Sequence, residues 1–160
     1  MQRRVEQKAE ELLLGNYEKY YRLAYTYVKS EEDALDVVQE SAYKVMKECR
    51  KVKEEAFLET WIYRIVINTA HDILRRRAPV VPMEPEMEEW LAPQEDHYQD
   101  LDLQEALAML DQNEKSVILL RYFEDRKLEE IARITDVGVS TVKSRLYRAL
   151  KKLKITLADI

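Results

Sequence analysis

Apolar residues recur every three or four positions along most of the chain, and that spacing predicts helices rather than strands. Tyr17, Tyr20, Tyr21, Ala24, Tyr27 and Val28 mark an amphipathic helix near 16–29. Ser30-Glu-Glu-Asp33 follows with the spacing of a capping box, so a second helix is expected to start there. It runs to about residue 52 with Leu35, Val38, Ala42, Val45, Met46 and Cys49 along one face. A third helix over 55–77 is expected to bury Leu58, Ile62, Ile65, Val66, Thr69 and Ile73. Its end, Arg75-Arg76-Arg77, suits the negative pole of a helix dipole. The pattern then stops. Pro79, Pro82, Pro85 and Pro93, with Glu84, Glu86, Glu88, Glu89, Glu95 and Asp96 among them, predict an extended, self-repelling linker over 79–98. Helical spacing resumes with Leu101, Leu103, Ala106, Leu107 and Leu110. Asp111, with Glu114 three residues on, starts a helix carrying Val117, Ile118, Leu120 and Tyr122, and two more are expected near 127–135 and 139–156. The expected architecture is all-α: two small helical domains, 1–78 and 99–160, joined by the linker.

Composition supports this. Two Gly in 160 residues, and four Pro confined to one stretch, leave too few turn residues for a sheet protein. A lone Cys49 excludes a disulfide framework and a cysteine zinc site. With no N-terminal apolar segment of signal-peptide type and no membrane-length apolar run, a cytoplasmic location is expected. His71 and His97 lack nucleophile or metal-ligand spacing, and no Gly-rich loop could cradle a phosphate. Neither an enzyme nor a cofactor is expected.

The net charge of −5, from 26 basic and 31 acidic side chains, would argue against nucleic acid if read whole. Its distribution argues otherwise. Residues 79–105 hold nine acids and no Lys or Arg, residues 1–78 sum to +1 and residues 106–160 to +3. From Val137 to Ala158 there are six basic residues and no acid.

That basic run lies in the sharpest motif. Leu128-Glu-Glu-Ile131-Ala132, the breaker Asp136-Val137-Gly138 and Val139-Ser-Thr-Val142-Lys-Ser-Arg-Leu146 have helix-turn-helix spacing. Ile131, Ala132, Val137, Val142 and Leu146 would form its small core, with Asp136 taking a left-handed turn. Ser140, Thr141, Lys143, Ser144, Tyr147 and Arg148 would face outward. Such a helix lays its N-terminal side chains in the major groove, where Lys and Arg favour guanine and hydroxyls fix phosphates or base edges.

Val142-Lys-Ser-Arg-Leu-Tyr-Arg-Ala-Leu-Lys-Lys-Leu153, after Ile118-Leu-Leu-Arg-Tyr-Phe-Glu124 and Glu129-Glu-Ile-Ala132, resembles the sigma-4 domain of bacterial sigma factors. The nearest group is the compact extracytoplasmic-function one, group 4 of the sigma-70 family. Residues 33–49 and 57–77 resemble the sigma-2 domain of the same group. The resemblance implies a promoter-specificity subunit of RNA polymerase. It assigns Leu35, Asp36, Gln39, Glu40 and Met46 to the clamp of the largest subunit, and the second domain to the flap of the second-largest. It assigns Phe57, Trp61, Arg64, Asn68, Asp72, Arg75 and Arg76, with Tyr63 in the same stretch, to reading and opening the −10 promoter element. Aromatics can stack on unpaired bases, Asn can read a base edge and Arg can hold phosphates; Trp61 and Tyr63 would serve equally as core. Lys143, Ser144, Tyr147 and Arg148 match positions that contact the −35 element. The turn departs from the usual Gly-Val-Ser, so Gly138 stands where a Ser caps the recognition helix, and Ser140 replaces a common Gly. The family also implies an anti-sigma partner, membrane-anchored or not, and an acidic linker that stands in for a nucleic-acid strand inside polymerase.

Two other readings remain open at this point. A free-standing helix-turn-helix regulator acting as a dimer would share the recognition helix but leave residues 33–77 unexplained. A helical interaction module unrelated to DNA would be indifferent to Arg148→Ala.

Overall fold

The structure, a computed structural model, describes residues 2–77 and 105–158. The extended linker expected over 79–98, and Leu101 and Leu103, lie outside these residues. Every regular element among the described residues is a helix or a helical turn, so the all-α expectation holds. The described residues fall into two compact units, the first of residues 2–77 with Arg133–Asp136 and the second of the remaining residues from 105 onward.

The first unit has four helices: α1 (Gln2–Gly15), α2 (Tyr17–Val28), α3 (Glu31–Glu48) and α4 (Leu58–Arg77). The Ser30 hydroxyl accepts from the Asp33 backbone amide at 3.2 Å, capping α3 as the sequence predicts. Lys29 takes the left-handed conformation (φ 58°) that stops α2 and turns the chain. Helices α2, α3 and α4 each pack on the other two. At their centre Tyr20 meets Tyr63 edge to face, with ring centroids 5.5 Å apart. Leu58, Ile62, Val66, Val37 and Val45 close around that pair, each fully buried.

Because α3 is covered on two sides, its buried arc runs through Ala34, Val37, Val38, Ser41, Val45 and Cys49. Leu35 and Met46, expected on the inner face, are 41% and 38% exposed. Tyr17 is exposed as well, and Ile65 is half-buried, since Tyr63, Ile67 and Ala70 supply the inward stripe of α4 instead. The chain leaves α3 earlier than expected, through a 3-10 turn at Cys49–Lys51, and enters α4 through another at Glu55–Phe57. Burial pushes the Cys49 thiol above its ordinary pKa, with Glu6 adding to the effect, so the group acts as a packing residue. Helix α1 was not expected from the spacing. It lies over α3, tied by Arg50 to Glu6 at 2.8 Å and Arg4 to Glu55 at 3.1 Å.

In the second unit a helical turn at 105–108 precedes α5 (Gln112–Ile118), which continues through a wide π turn at Leu119–Phe123. Helices α6 (Leu128–Thr135) and α7 (Val139–Ala158) follow. The Asp111–Glu114 capping box is complete: Asp111 Oδ1 accepts from Glu114 N at 2.7 Å and Glu114 Oε1 from Asp111 N at 3.1 Å. Asp136 sits in the left-handed region (φ 61°) between α6 and α7, as the turn requires. Ile131, Ala132 and Val142 are buried, Val137 and Leu146 half-buried. Leu146 and Leu153 pack instead on a cluster of Leu107, Leu110, Ile118 and Ala149, which fixes the long α7 against α5. Tyr122, expected inside, is 55% exposed, because the π turn rotates the last residues of the element outward.

Candidate functional site

Helix α7 buries Val142 and Ala149 and leaves Ser140, Thr141, Lys143, Ser144, Tyr147 and Arg148 exposed. All six residues expected to touch DNA thus lie on the outer arc of one helix. Tyr147 is the most open large side chain there, at 70%. No carboxylate belongs to that helix, so the charge on its outer face is positive throughout, beside hydroxyls and the exposed Leu150. Gly138 precedes it with an ordinary negative φ, and a β-carbon there would meet nothing within 4 Å. Glycine is therefore not needed for the turn, and the missing Ser cap is a loss of one hydrogen bond rather than a change of geometry.

The −10 candidates lie on α4, except Phe57, which ends the turn that leads into it. Phe57, Trp61, Arg64, Asn68, Asp72 and Arg75 follow one another at steps of three or four, so they form one stripe, and none of them is buried. The Arg64 guanidinium carbon stands 5.7 Å from the Phe57 ring centroid. Phe57 and Trp61 line an open hollow of about 640 Å³ with Lys51, Val52, Lys53 and Glu54. Those loop residues were not singled out from the sequence, although Lys51 and Lys53 beside an aromatic pair carried the signal. Tyr63, by contrast, is core. Trp61 is half-buried and borders the hollow, so its ring is accessible from one side.

Asp72 pairs with Arg75 on the same stripe. Arg76 falls off it and faces α3, where its guanidinium reaches both Glu40 oxygens at 3.2 and 3.3 Å. Arg77 lies 3.2 Å from Asp33 and 3.0 Å from Asp36. The basic end of α4 thus meets the acidic first turns of α3, each charge favoured by the dipole of its own helix. Lys44 joins from the same helix, 3.3 Å from Glu40, and donates to Thr69 Oγ1 at 3.1 Å. Burial pushes the Glu40 carboxyl up, but hydrogen bonds from Arg76 and Lys44 outweigh it and hold the group below its ordinary pKa.

The polymerase candidates divide over two surfaces that share Gln39. Asp36, Gln39 and Glu40 line a polar cleft of about 390 Å³ with Tyr43, Ile73, Arg76 and Arg77. Gln39 and Met46 also border an apolar groove of about 290 Å³ whose other walls include Leu13, Leu14 and Tyr17. Leu35 lines neither. The spacing of Val5, Ala9, Leu12 and Leu13 carried the signal for the α1 wall, diluted by five interleaved charges and amides.

Two family models match this chain, Sigma-70 region 2 over residues 12–80 and Sigma-70 region 4 over residues 100–153. The chain belongs to the sigma-70 family. SigV, an RNA polymerase sigma factor of Bacillus subtilis, is 48% identical over 139 residues, covering 86% of this chain and 84% of its own. The extracytoplasmic-function sigma-E factor of Haemophilus influenzae is 30% identical over 169 residues, covering 93% and 87%. Among solved structures, the sigma factor RpoE of Bartonella quintana, co-crystallised with the anti-sigma factor NepR, has a TM-score of 0.76. It is 24% identical and the match covers 96% of this chain and 98% of that one, a likeness of fold. As an extracytoplasmic-function sigma factor, the protein directs promoter-specific transcription initiation with core RNA polymerase. Sigma factors are non-catalytic initiation factors. A free-standing dimeric regulator would not account for the region 2 match. Among the described residues no helix is long and apolar enough to cross a membrane, and no group of three or more His, Cys, Asp or Glu could hold a metal ion.

Proposed function

We propose that the sigma factor divides its work between its two domains. The first, residues 1–78, binds core polymerase through Leu35, Asp36, Gln39, Glu40 and Met46 and reads and opens the −10 element through Phe57, Trp61, Arg64, Asn68, Asp72, Arg75 and Arg76. The second, residues 99–160, reads the −35 element through Ser140, Thr141, Lys143, Ser144, Tyr147 and Arg148 and rests on the flap of polymerase. The observation that carries this reading is the outer arc of α7: six exposed hydroxyl, aromatic and basic side chains on a helix without a carboxylate.

The stripe on α4 supports the −10 assignment. A hollow between Phe57, Trp61 and two lysines offers an unpaired base a stacking surface beside positive charge. Capture of one flipped base returns a few kcal/mol against the cost of opening the duplex. The linker, 79–98, spans about 60–70 Å if extended, enough for two elements separated by about two turns of ~34 Å each. The protein acts in the cytoplasm, without a catalytic centre or cofactor of its own, and an anti-sigma protein covers these faces until transcription is needed.

The test is footprinting of the reconstituted holoenzyme on a promoter it initiates from. Trp61→Ala should abolish thymine reactivity in the opened −10 region while −35 protection survives. Lys143→Ala with Ser144→Ala should remove −35 protection while a residual, weaker opening persists. Loss of the same footprint in both variants would refute the division of labour.

A further inference from the structure

Glu114 is the most deeply buried carboxylate of the second unit among the described residues, its side chain only 2% exposed. A buried carboxylate is costly unless it is paired and hydrogen-bonded. Its two oxygens are spent differently. Oε1 closes the capping box on the Asp111 amide at 3.1 Å and accepts from Lys152 Nζ at 2.8 Å. Oε2 faces Arg148 Nε at 3.6 Å. Arg148 and Lys152 are four residues apart on α7, so one carboxylate of α5 holds two successive turns of the helix that carries the outer arc.

We infer that Glu114 is a positioning residue for promoter reading: its buried charge draws the Nε edge of Arg148 inward, so that the two terminal amino groups of the guanidinium are presented to DNA. The inference rests on the assignment of Arg148 to the −35 element. A guanidinium has five N–H donors in a rigid fork. Drawing the Nε edge toward a buried negative charge 3.6 Å away narrows the rotamer freedom an arginine otherwise loses on binding, without spending a hydrogen bond. The outer edge, on a side chain still 56% exposed, keeps the bidentate geometry that matches guanine O6 and N7. Anchor and reach are both necessary. An exposed partner would be displaced by water or phosphate, whereas Glu114 is already pinned by its own cap and by Lys152.

The experiment uses the full chain on core polymerase and a duplex library randomised across the upstream element of a promoter it initiates from, with the bound fraction sequenced. Arg148→Ala should lose discrimination at one or two base positions by about 5- to 100-fold. Glu114→Gln keeps the size and one acceptor for the cap; it should lose discrimination at those same positions, and the double variant should add nothing further. Discrimination unchanged in Glu114→Gln, or lost evenly at all positions, would overturn the positioning role while leaving Arg148 as a DNA contact. No effect of Arg148→Ala would overturn the underlying assignment and this inference with it. Lys152→Gln gives a reading that does not depend on Glu114→Gln folding. It leaves Glu114 fixed by its cap on the Asp111 amide and facing Arg148, so the thermal midpoint should fall while discrimination at those positions stays. Loss of discrimination in Lys152→Gln would show Glu114 to act through general stability and overturn the inference.

Discussion

Ser41 places a hydroxyl in the first core, 1% exposed, with no hydrogen-bond partner for its oxygen. Leaving such a group unsatisfied costs more than removing it, so Ser41→Ala should raise stability by about 0.5–1.5 kcal/mol, measured by urea unfolding. A fall in stability would mean the hydroxyl is satisfied in solution. Asp136 makes the opposite case: its left-handed φ is a requirement of the turn. Asp136→Gly should be tolerated, whereas Asp136→Val should cost about 1–2 kcal/mol, because a β-branched residue clashes there. The sequence made Asp136 legible, since Asp before a second amphipathic stretch has few other uses. It did not make Tyr63 legible. An aromatic in a DNA-reading stretch and an aromatic in a core look the same until a partner such as Tyr20 is seen to face it. Glu114 was readable as a cap, but its burial and its second duty toward Arg148 depend on where α7 packs, which no local pattern encodes.

At the scale of elements, periodicity located α2 to α7 because each buries a stripe on a neighbour. It missed α1, whose contact with α3 is narrow: Ala9 is its one fully buried residue among those described. It also misplaced the inner face of α3. A helix clasped from two sides buries a wider and shifted arc, so Leu35 and Met46 come to the surface. The junction of α3 with α4 was likewise hidden, since Asp36 and Glu40 were read as facing polymerase, Arg76 as facing DNA, and Arg77 only as suiting its own helix dipole. Their pairing has a measurable sign. The Glu40 carboxyl is held below its ordinary pKa, so its contribution to stability is present above that ordinary value and lost as pH falls through the depressed one. Glu40→Gln should therefore lower the thermal midpoint slightly at neutral pH and converge with the parent in acid, giving a flatter acid limb, with a small difference as expected for half-exposed pairs. An acid limb as steep as in the parent protein would place the titrating group elsewhere.

For the whole molecule the relevant charge is local. A net of −5 conceals a basic helix α7, and the negative sign comes from residues 79–105, between residues 1–78 at +1 and residues 106–160 at +3. On the proposed division of labour each domain is small and offers one or two reading surfaces, so specific affinity would depend on both being held together, as in other tethered binders. That dependence separates a sigma factor from a free-standing regulator, and it is directly measurable. Run-off transcription with purified core polymerase on a genomic fragment library, with start-site sequencing, tests it most directly. Discrete start sites should appear only when the folded protein and core are both present, preceded by a shared pair of sequence elements about two helical turns apart. An intact, folded sample that directs no specific start, or that selects the same duplexes equally well without core polymerase, would contradict it.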